Sequence, residues 1–450
     1  MALKPIHKDL EALFRQTLVL SDPAEATARL LSLNSDVLVV DDHPYPLDGS
    51  RLWVFGFGKA AATMARGCHQ ALGKRIHGGL IIAPSIGTLD TGVIQQAKGN
   101  HPIPDADSLE ATRQLLELMT QVHAGDTLLF VISGGTSALL CKPEEGIAME
   151  FKQELFRSLL RSGADIHAMN TVRKHVSAVK GGKLLRRIPG TRVINMIISD
   201  VPGDDPSTIG SGPTTTDPTT LEDAKRVIER YLNSDSSGDA TIAGKTELLE
   251  LISHLPETPK PRDAGLPEVH SHWVMTPRMF AQGMADLALE LGVAERVWVD
   301  PESFSGSVER VAAYMYERAL GEMKTGIDSM LLCFHGETEV KVEGNGRGGR
   351  NQHLALQFLL REMPKLSKEY EVVLMCVGTD GVDGNSDAAG LVVDQNTLSH
   401  LQAQGLDPES ALRNFDSNTL FQHSDALIHT GPTGNNVMDV AALYVRRRRT

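Results

Sequence analysis

Several things are scarce in this 450-residue chain, and each scarcity excludes a class of protein. Aromatic residues make up only 5% of it, too few for the stacking platforms that bind single-stranded nucleic acid. Positive charge is outweighed, with 44 Lys and Arg against 57 Asp and Glu for a net charge of −13. That balance disfavours general binding to nucleic acid or to an anionic membrane surface. Long apolar runs are missing: Leu128–Ile132 and Met330–Phe334 are strand length, far short of the ~18 residues of a membrane span. The opening MALKPIHKDLEALF is amphipathic and mixed in charge, without an apolar signal core. The four cysteines, Cys68, Cys141, Cys333 and Cys376, are far apart and read as buried reduced thiols of a cytoplasmic protein. No CxxC or Cys/His pair has zinc spacing. The terminal Arg446–Arg449 run reads as a solvated tail.

What the chain does have is glycine, 41 residues of it, set in a recurring pattern. A short apolar run, a Gly-rich turn and a segment of helical period follow one another six times, starting at Arg51–Phe55, Thr127–Ile132, Val193–Ile198, Met330–Phe334, Val372–Val377 and Ala426–His429. Runs that are apolar throughout predict strands covered on both faces, as in parallel sheets, with helices such as Asp107–His123 and Ser303–Met323 as crossovers. The expected fold class is α/β. A polar stretch from Asn233 to about Glu268 reads as a linker, after which His272–Met275 and Pro277–Leu291 begin a new strand and helix. Length alone allows two or three domains. The division is placed near residue 265, giving domains 1–265 and 266–450.

The turns hold the candidate chemistry. Gly56-Phe-Gly58-Lys59-Ala-Ala61 follows a strand and leads into a helix, the context of a dinucleotide fingerprint. Such a site also needs an acid closing the next strand, and Gly79–Ala83 runs into Pro-Ser-Ile-Gly-Thr instead. Lys59, placed in the first helical turn, is unfavourable against the helix dipole unless a polyanion meets it, which points to phosphate. Ser133-Gly134-Gly135-Thr136-Ser137 is a second strand-to-helix turn whose successive N–H groups can nest an anion. Asn170 is expected to cap a helix carrying Arg173, Lys174, Lys180 and Lys183, a basic face that a solvated helix would also show. The strand Val193–Ser199 delivers Asp200 at its carboxyl end, and Asp204 and Asp205 follow beside Gly210-Ser211-Gly212-Pro213. Carboxylates so placed suit magnesium that keeps several waters. In the second half, Arg347 and Arg350 in GNGRGGR, just before Asn351, are built for bidentate contact with phosphate or carboxylate. GTDGVDG, with Asp380, and TGPTGNN add further strand-end turns.

These stretches resemble the class II glycerate kinases, whose carboxyl-terminal part is the MOFRL domain. The likeness runs from about residue 10 to 445, through GFGKAA (Gly56–Ala61), HPIPD (His101–Asp105), SGGTSALL (Ser133–Leu140), NTVRKHVSAVKGGKL (Asn170–Leu184) and SDVPGDDPSTIGSGPT (Ser199–Thr214). It continues through GETEVKV (Gly336–Val342), GRGGRNQ (Gly346–Gln352), GTDGVDG (Gly378–Gly384), DAAG (Asp387–Gly390) and TGPTGNNV (Thr430–Val437). The resemblance implies a Rossmann-like amino-terminal domain, a smaller α/β MOFRL domain and an active site in the cleft between them. It implies ATP and Mg²⁺, and D-glycerate phosphorylated to 2-phosphoglycerate; no nucleic acid or membrane partner is expected, and a homodimer is allowed. In the family the lysine of GFGKAA and an arginine of GRGGRNQ are regarded as catalytic, here Lys59 and either Arg347 or Arg350. The expected nucleotide-binding groups are Gly56, Gly58, Ser133–Ser137 and Gly210–Gly212. Arg173, Lys174 and Asn351 are expected to bind substrate, Asp200 to act in catalysis, and Asp200, Asp204 and Asp380 to hold metal. The sequence departs from the family's pattern at His335, His353, Thr216 and Asn435. The alternative is an NAD(P)H-dependent hydroxypyruvate reductase, a label that members of this family have often carried.

Overall fold

The computed structural model describes residues 4–232 and 245–448, so residues 233–244 of the expected linker and Arg449 of the terminal run lie outside the described residues. The chain divides into two compact units. The amino-terminal unit comprises residues 23–199 and 204–274; the carboxyl-terminal unit comprises 275–450 together with 1–22 and 200–203. The units therefore interleave along the chain, where the division expected from composition is one cut near residue 265.

In the amino-terminal unit, a three-stranded antiparallel meander comes first: β1 (Leu31–Asn34), β2 (Val37–Val40) and β3 (His43–Pro46). A six-stranded sheet follows, built from β4 (Leu52–Phe57), β5 (Ile76–Ala83), β6 (Ile94–Lys98), β7 (Thr127–Ile132), β8 (Arg192–Ile198) and β9 (Glu268–Met275). Its order is β6-β5-β4-β7-β8-β9, and β4 to β8 pair in parallel. Strand order reverses between β5 and β7 around β4, which makes the carboxyl ends of β4 and β7 the place where an open α/β sheet binds ligands. Gly56 lies within β4 and not in the turn after it. A Cβ there would come 2.3 Å from Val131 Cγ2, so its role is close strand packing.

The carboxyl-terminal unit departs from the expected parallel sheet. Its strands are β10 (Arg296–Val299), β11 (Phe304–Ser307), β12 (Ser329–Glu339), β13 (Tyr370–Gly378), β14 (Gly390–Asp394), β15 (Leu427–Ile428) and β16 (Asp439–Arg447). They run in the order β10-β12-β16-β13-β14-β15, with β11 on β12. Only β10 and β11 pair with β12 in parallel; the pairings of β16, β13, β14 and β15 are antiparallel. The runs are apolar because both faces are covered, and coverage does not depend on strand direction. One face packs Met330, Leu332, Phe334, Leu374 and Leu443 against the helices Val308–Met323 and Arg350–Arg361. The other meets the helices Lys4–Leu20 and Pro277–Glu290, themselves joined by an edge-on contact of Phe14 with Phe280 at 6.1 Å.

Three further expectations are corrected. VMDVAALYV, read as helical, is the strand β16 between β12 and β13, because burial on both faces overrides the helix propensity of Ala and Leu. The strand β11 and the Ser307 cap precede the helix expected from Ser303, which begins at Val308. Arg446 and Arg447 end β16 and Arg446 pairs with Glu371, so they are not a free tail. The four cysteines are free and buried, as expected. Among the described residues no helix is long and apolar enough to cross a membrane.

At the amino ends of β4 and β7, buried Asp126 accepts from Arg51 Nη2 at 2.6 Å, Trp53 Nε1 at 3.0 Å and the His123 backbone N–H at 2.9 Å. Burial alone would raise this carboxyl, but those hydrogen bonds outweigh it and hold it below the usual range. A depressed folded-state pKa contributes stability above the unfolded value near 3.9 that is lost as pH falls through the folded one. Asp126→Ala is expected to destabilise the protein by about 3 kcal/mol at neutral pH. The difference from wild type, read by urea unfolding, is expected to shrink below about pH 4.

Candidate active site

Phe57 and Ile132 stand in register at the carboxyl ends of β4 and β7, so the turns that follow lie side by side. They are knitted together. Lys59 N–H donates to Gly134 O at 2.8 Å, Ala60 N–H to Ser133 Oγ at 3.0 Å, and Thr136 Oγ1 to Phe57 O at 2.8 Å. Gly58 has φ +134°, and a Cβ on it would sit 2.1 Å from Ser133 Oγ, so only glycine fits. The helix after this turn starts at Ala61, which puts Lys59 before the helix and not in its first turn. Lys59 is exposed and lies across Gly135, where a Cβ would meet Lys59 Cγ at 3.0 Å and His101 Cδ2 at 3.1 Å. Burial and the Lys59 charge lower the His101 pKa.

A third turn joins these two. Gly210, Ser211 and Gly212 have φ of +59°, +63° and +58°, and Ser211 Oγ lies 3.1 Å from Ser137 Oγ. Ser211 also donates to Asn170 Oδ1 at 3.2 Å, which accepts from Arg173 Nη1 at 2.7 Å. The helix around Asn170 runs Ile166–His175 and is capped by Asp165, so Asn170 sits inside it as a bridge and not at its start.

The basic run beyond Asn170 is not a solvated face. Lys174 and Lys183 are buried in ion pairs with Asp217 (3.2 Å) and Glu144 (2.6 Å). Arg173, Lys180 and a residue that sequence reasoning missed, Lys152, are different. Lys152 Nζ is 3.4 Å from Cys141 Sγ, fully buried Lys180 donates to Gly210 O at 3.3 Å, and Arg173 lies over the Phe156 ring at 5.1 Å. Among the described residues none of these three makes an ion pair with a carboxylate. Burial lowers the pKa of each, and Lys180 is lowered further by Lys152 and Arg173. A cavity of about 470 Å³ opens beside them, lined by His101, Gly135, Ser137, Cys141, Lys152 and Arg173. Lys152 gave no signal because it sits in MEFKQELF, which reads as an ordinary amphipathic helix with an exposed lysine.

In the carboxyl-terminal unit the two arginines of GRGGR separate. Arg347 is half exposed and pairs with Asp387 at 2.9 Å. Arg350 begins the helix Arg350–Arg361 and reaches Glu337 at 2.7 Å and buried Asp439 at 2.5 Å. Burial pushes Asp439 up to about 6 even against Arg350. Asp383 caps the helix from a neighbouring loop, accepting from the Asn351 and Gln352 N–H groups at 3.1 and 2.9 Å, and burial pushes it up to about 6. Asn351 is thereby buried, its side chain also on Asp383. Burial and the charges of Asp200 and Asp380 raise Glu337 as well. Glu337 and Asp439 were not singled out from sequence, Asp439 because it opens the apolar strand β16 within a run that reads as helical. A cavity of about 550 Å³ is lined by Arg350, Asn351, His353, Asp380, Asp383 and Asp439.

The remaining candidates also have places. In the amino-terminal unit Asp205 is occupied by Ser207 and Thr208, whereas Asp204 Oδ1 is buried without a hydrogen-bond partner among the described residues. His335 is a buried strut between Asp300 O and Ser303 Oγ, both at 3.0 Å. His353 stacks on Phe415 with ring centroids 4.7 Å apart.

Family models match two stretches: a domain of unknown function, DUF4147, over residues 9–242, and the MOFRL family over residues 330–439. A D-glycerate 2-kinase of Thermotoga maritima is 38% identical over 88% of this chain and 90% of its own. An Agrobacterium vitis relative named provisionally as a hydroxypyruvate reductase is 34% identical over 93% of this chain and 92% of its own. The crystal structure of a Thermotoga maritima glycerate kinase matches 98% of this chain and 99% of that one, with a TM-score of 0.80 and 33% identity. With the parallel amino-terminal sheet, the knitted glycine turns and the GRGGR helix start all in place, the chain belongs to the glycerate kinase family with a carboxyl-terminal MOFRL domain.

Proposed function

We propose that the protein transfers the γ-phosphoryl group of ATP to the 2-hydroxyl of D-glycerate, giving 2-phosphoglycerate and ADP. The observation that carries this reading is the set of cations that have no carboxylate partner among the described residues, Lys59 with Lys152, Arg173 and Lys180, around the glycine turns after β4 and β7. In a chain of net charge −13 such a set is unfavourable until an anion arrives. Both reactants are anions.

Phosphoryl transfer needs alignment and neutralisation of spreading charge more than covalent help from the protein. Lys59 is assigned to the β- and γ-phosphates, with the N–H groups of Gly134–Ser137 and of Gly210 beside them; the N–H groups of Ser133, Ser211 and Gly212 donate within the turns to Phe57, Thr208 and Ile209 and hold their shape. Arg173, with Lys152 and Lys180, is assigned to the glycerate carboxylate; Lys174 supports this wall through Asp217. The 2-hydroxyl oxygen attacks the γ-phosphorus, the bond to the ADP oxygen breaks, and Asp200 accepts the hydroxyl proton. Arg350, oriented by Asp439 and Glu337, is the arginine assigned to the transferring group; Asn351 steadies its helix start and Arg347 acts from the loop.

The donors suit Mg²⁺, since all are carboxylate oxygens. Burial raises Glu337 and the charges of Asp200 and Asp380 add a smaller repulsion that a cation would relieve, and Asp204 Oδ1 has no hydrogen-bond partner among the described residues. Asp200 and Asp380 are proposed to hold the ion, Asp204 to be a further donor, and the ion to neutralise the phosphates when bound. The reductase reading has no acid closing β5, which runs into Pro-Ser-Ile-Gly-Thr, to hold a nicotinamide ribose. The buried free thiols suit a cytoplasmic setting.

A coupled assay with ATP, Mg²⁺ and D-glycerate is expected to release ADP, and the product's ³¹P signal to be a doublet from the single hydrogen on C2. Folded protein that releases no ADP, or that oxidises NADH on hydroxypyruvate instead, contradicts the reading. Lys59→Ala is expected to lower kcat by ~10²–10³-fold, as for loss of one charge-stabilising contact. Lys152→Met and Arg173→Met are expected to raise KM for glycerate at least about tenfold with KM for ATP little changed. Unchanged KM for glycerate in both would remove the carboxylate assignment.

A further inference from the structure

The amino-terminal unit carries a second cluster of metal-ligating side chains away from the turns after β4 and β7. The hairpin of β2 and β3 turns through Asp41 and Asp42, both left-handed (φ +50° and +61°), and puts His43 at the start of β3. The edge strand β9 brings His272 against it. We propose that Asp41, His43 and His272 form a binding site for a borderline divalent transition metal, with zinc the best match.

The geometry supports this in three ways. The ligand atoms, one from each residue, all lie within 4.8 Å of one another. His272 Nδ1 and Asp41 Oδ2 are 3.5 Å apart, close to the ~3.4 Å that bonds of about 2.0–2.2 Å at tetrahedral angles require. Each imidazole is also held by its other nitrogen. His43 Nδ1 donates to the Asp41 carbonyl at 2.7 Å, which leaves Nε2 with its lone pair, and His272 Nε2 lies 2.7 Å from the Tyr45 hydroxyl. Orienting contacts of this kind are the usual support of metal-bound histidine, because they fix tautomer and ring plane. Finally, Asp41 and His43 are exposed while His272 is buried, so the site is open to solvent on one side. Three protein ligands and a water complete a tetrahedron.

Two imidazoles and one carboxylate select against Mg²⁺, so this site is separate from the one assigned to phosphoryl transfer. A metal here fastens the β1–β3 meander to the edge of the main sheet, which β9 otherwise leaves open to other strands. No spacing rule finds the site, because His43 and His272 lie 229 positions apart in sequence.

The test uses untagged full-length protein, stripped with chelator and titrated with Co²⁺ and then Zn²⁺. The expected result is the visible absorption of tetrahedral Co²⁺, saturating at one ion per chain, bleached by Zn²⁺ and accompanied by a rise in Tm. His43→Ala, at an exposed position that leaves the fold intact, is expected to weaken binding more than tenfold, and Tyr45→Phe about tenfold. Binding that is equally tight in His43→Ala, or no Co²⁺ absorption in the wild type, overturns the proposal. Because the readout is absorption and Tm, it stands or falls independently of kinase turnover.

Discussion

Burying a cation without a carboxylate is costly, and the amino-terminal unit holds three cations together that have none among the described residues, Lys152 and Lys180 buried and Arg173 partly buried. Burial lowers the pKa of all three, Arg173 lowers Lys152 further, and Lys152 and Arg173 lower Lys180 further; their neighbours are a thiol for Lys152, an amide oxygen for Arg173 and a carbonyl for Lys180. Two other lysines of the same region, Lys174 and Lys183, show what the fold does when a buried amine is structural: each has its own acid. The contrast within one segment is what supports the proposal that the three remaining cations serve a ligand.

The rest of the unit holds that feature in place. Parallel pairing of β4 with β7 sets Phe57 beside Ile132, and this fixes the two glycine turns against each other. Ser211 and Asn170 then tie the third turn to Arg173. The carboxyl-terminal unit solves the opposite problem, an excess of buried acid. There Arg350 serves Asp439 and Glu337, and the helix it begins is capped by Asp383. Both Asp383 and Asp439 remain raised to about 6, because burial outweighs the helix N–H groups that Asp383 accepts from and the Arg350 guanidinium beside Asp439.

Much of this was legible in the residues. Glycine turns after apolar runs located Gly58, Ser133–Ser137 and Gly210–Gly212, because only glycine tolerates such close approach and small hydroxyls knit such turns. Lys59 and the arginine pair stood out as cations in glycine loops. Long-range contacts were not legible: Lys152 looks like a surface lysine, and Asp439 looks like a break in an apolar run until β16 is seen between β12 and β13. Strand direction was also hidden, since coverage on two faces writes the same apolar pattern in parallel and antiparallel strands.

The central claim is that the buried cations are kept for a ligand and not for the fold. Lys180→Met tests it directly through thermal unfolding with and without D-glycerate. Removing a buried unpaired charge is predicted to leave the free protein as stable as wild type or more so, and to abolish the rise in Tm that D-glycerate gives the wild type. A variant less stable when free, yet stabilised by D-glycerate as strongly as the wild type, would contradict the account.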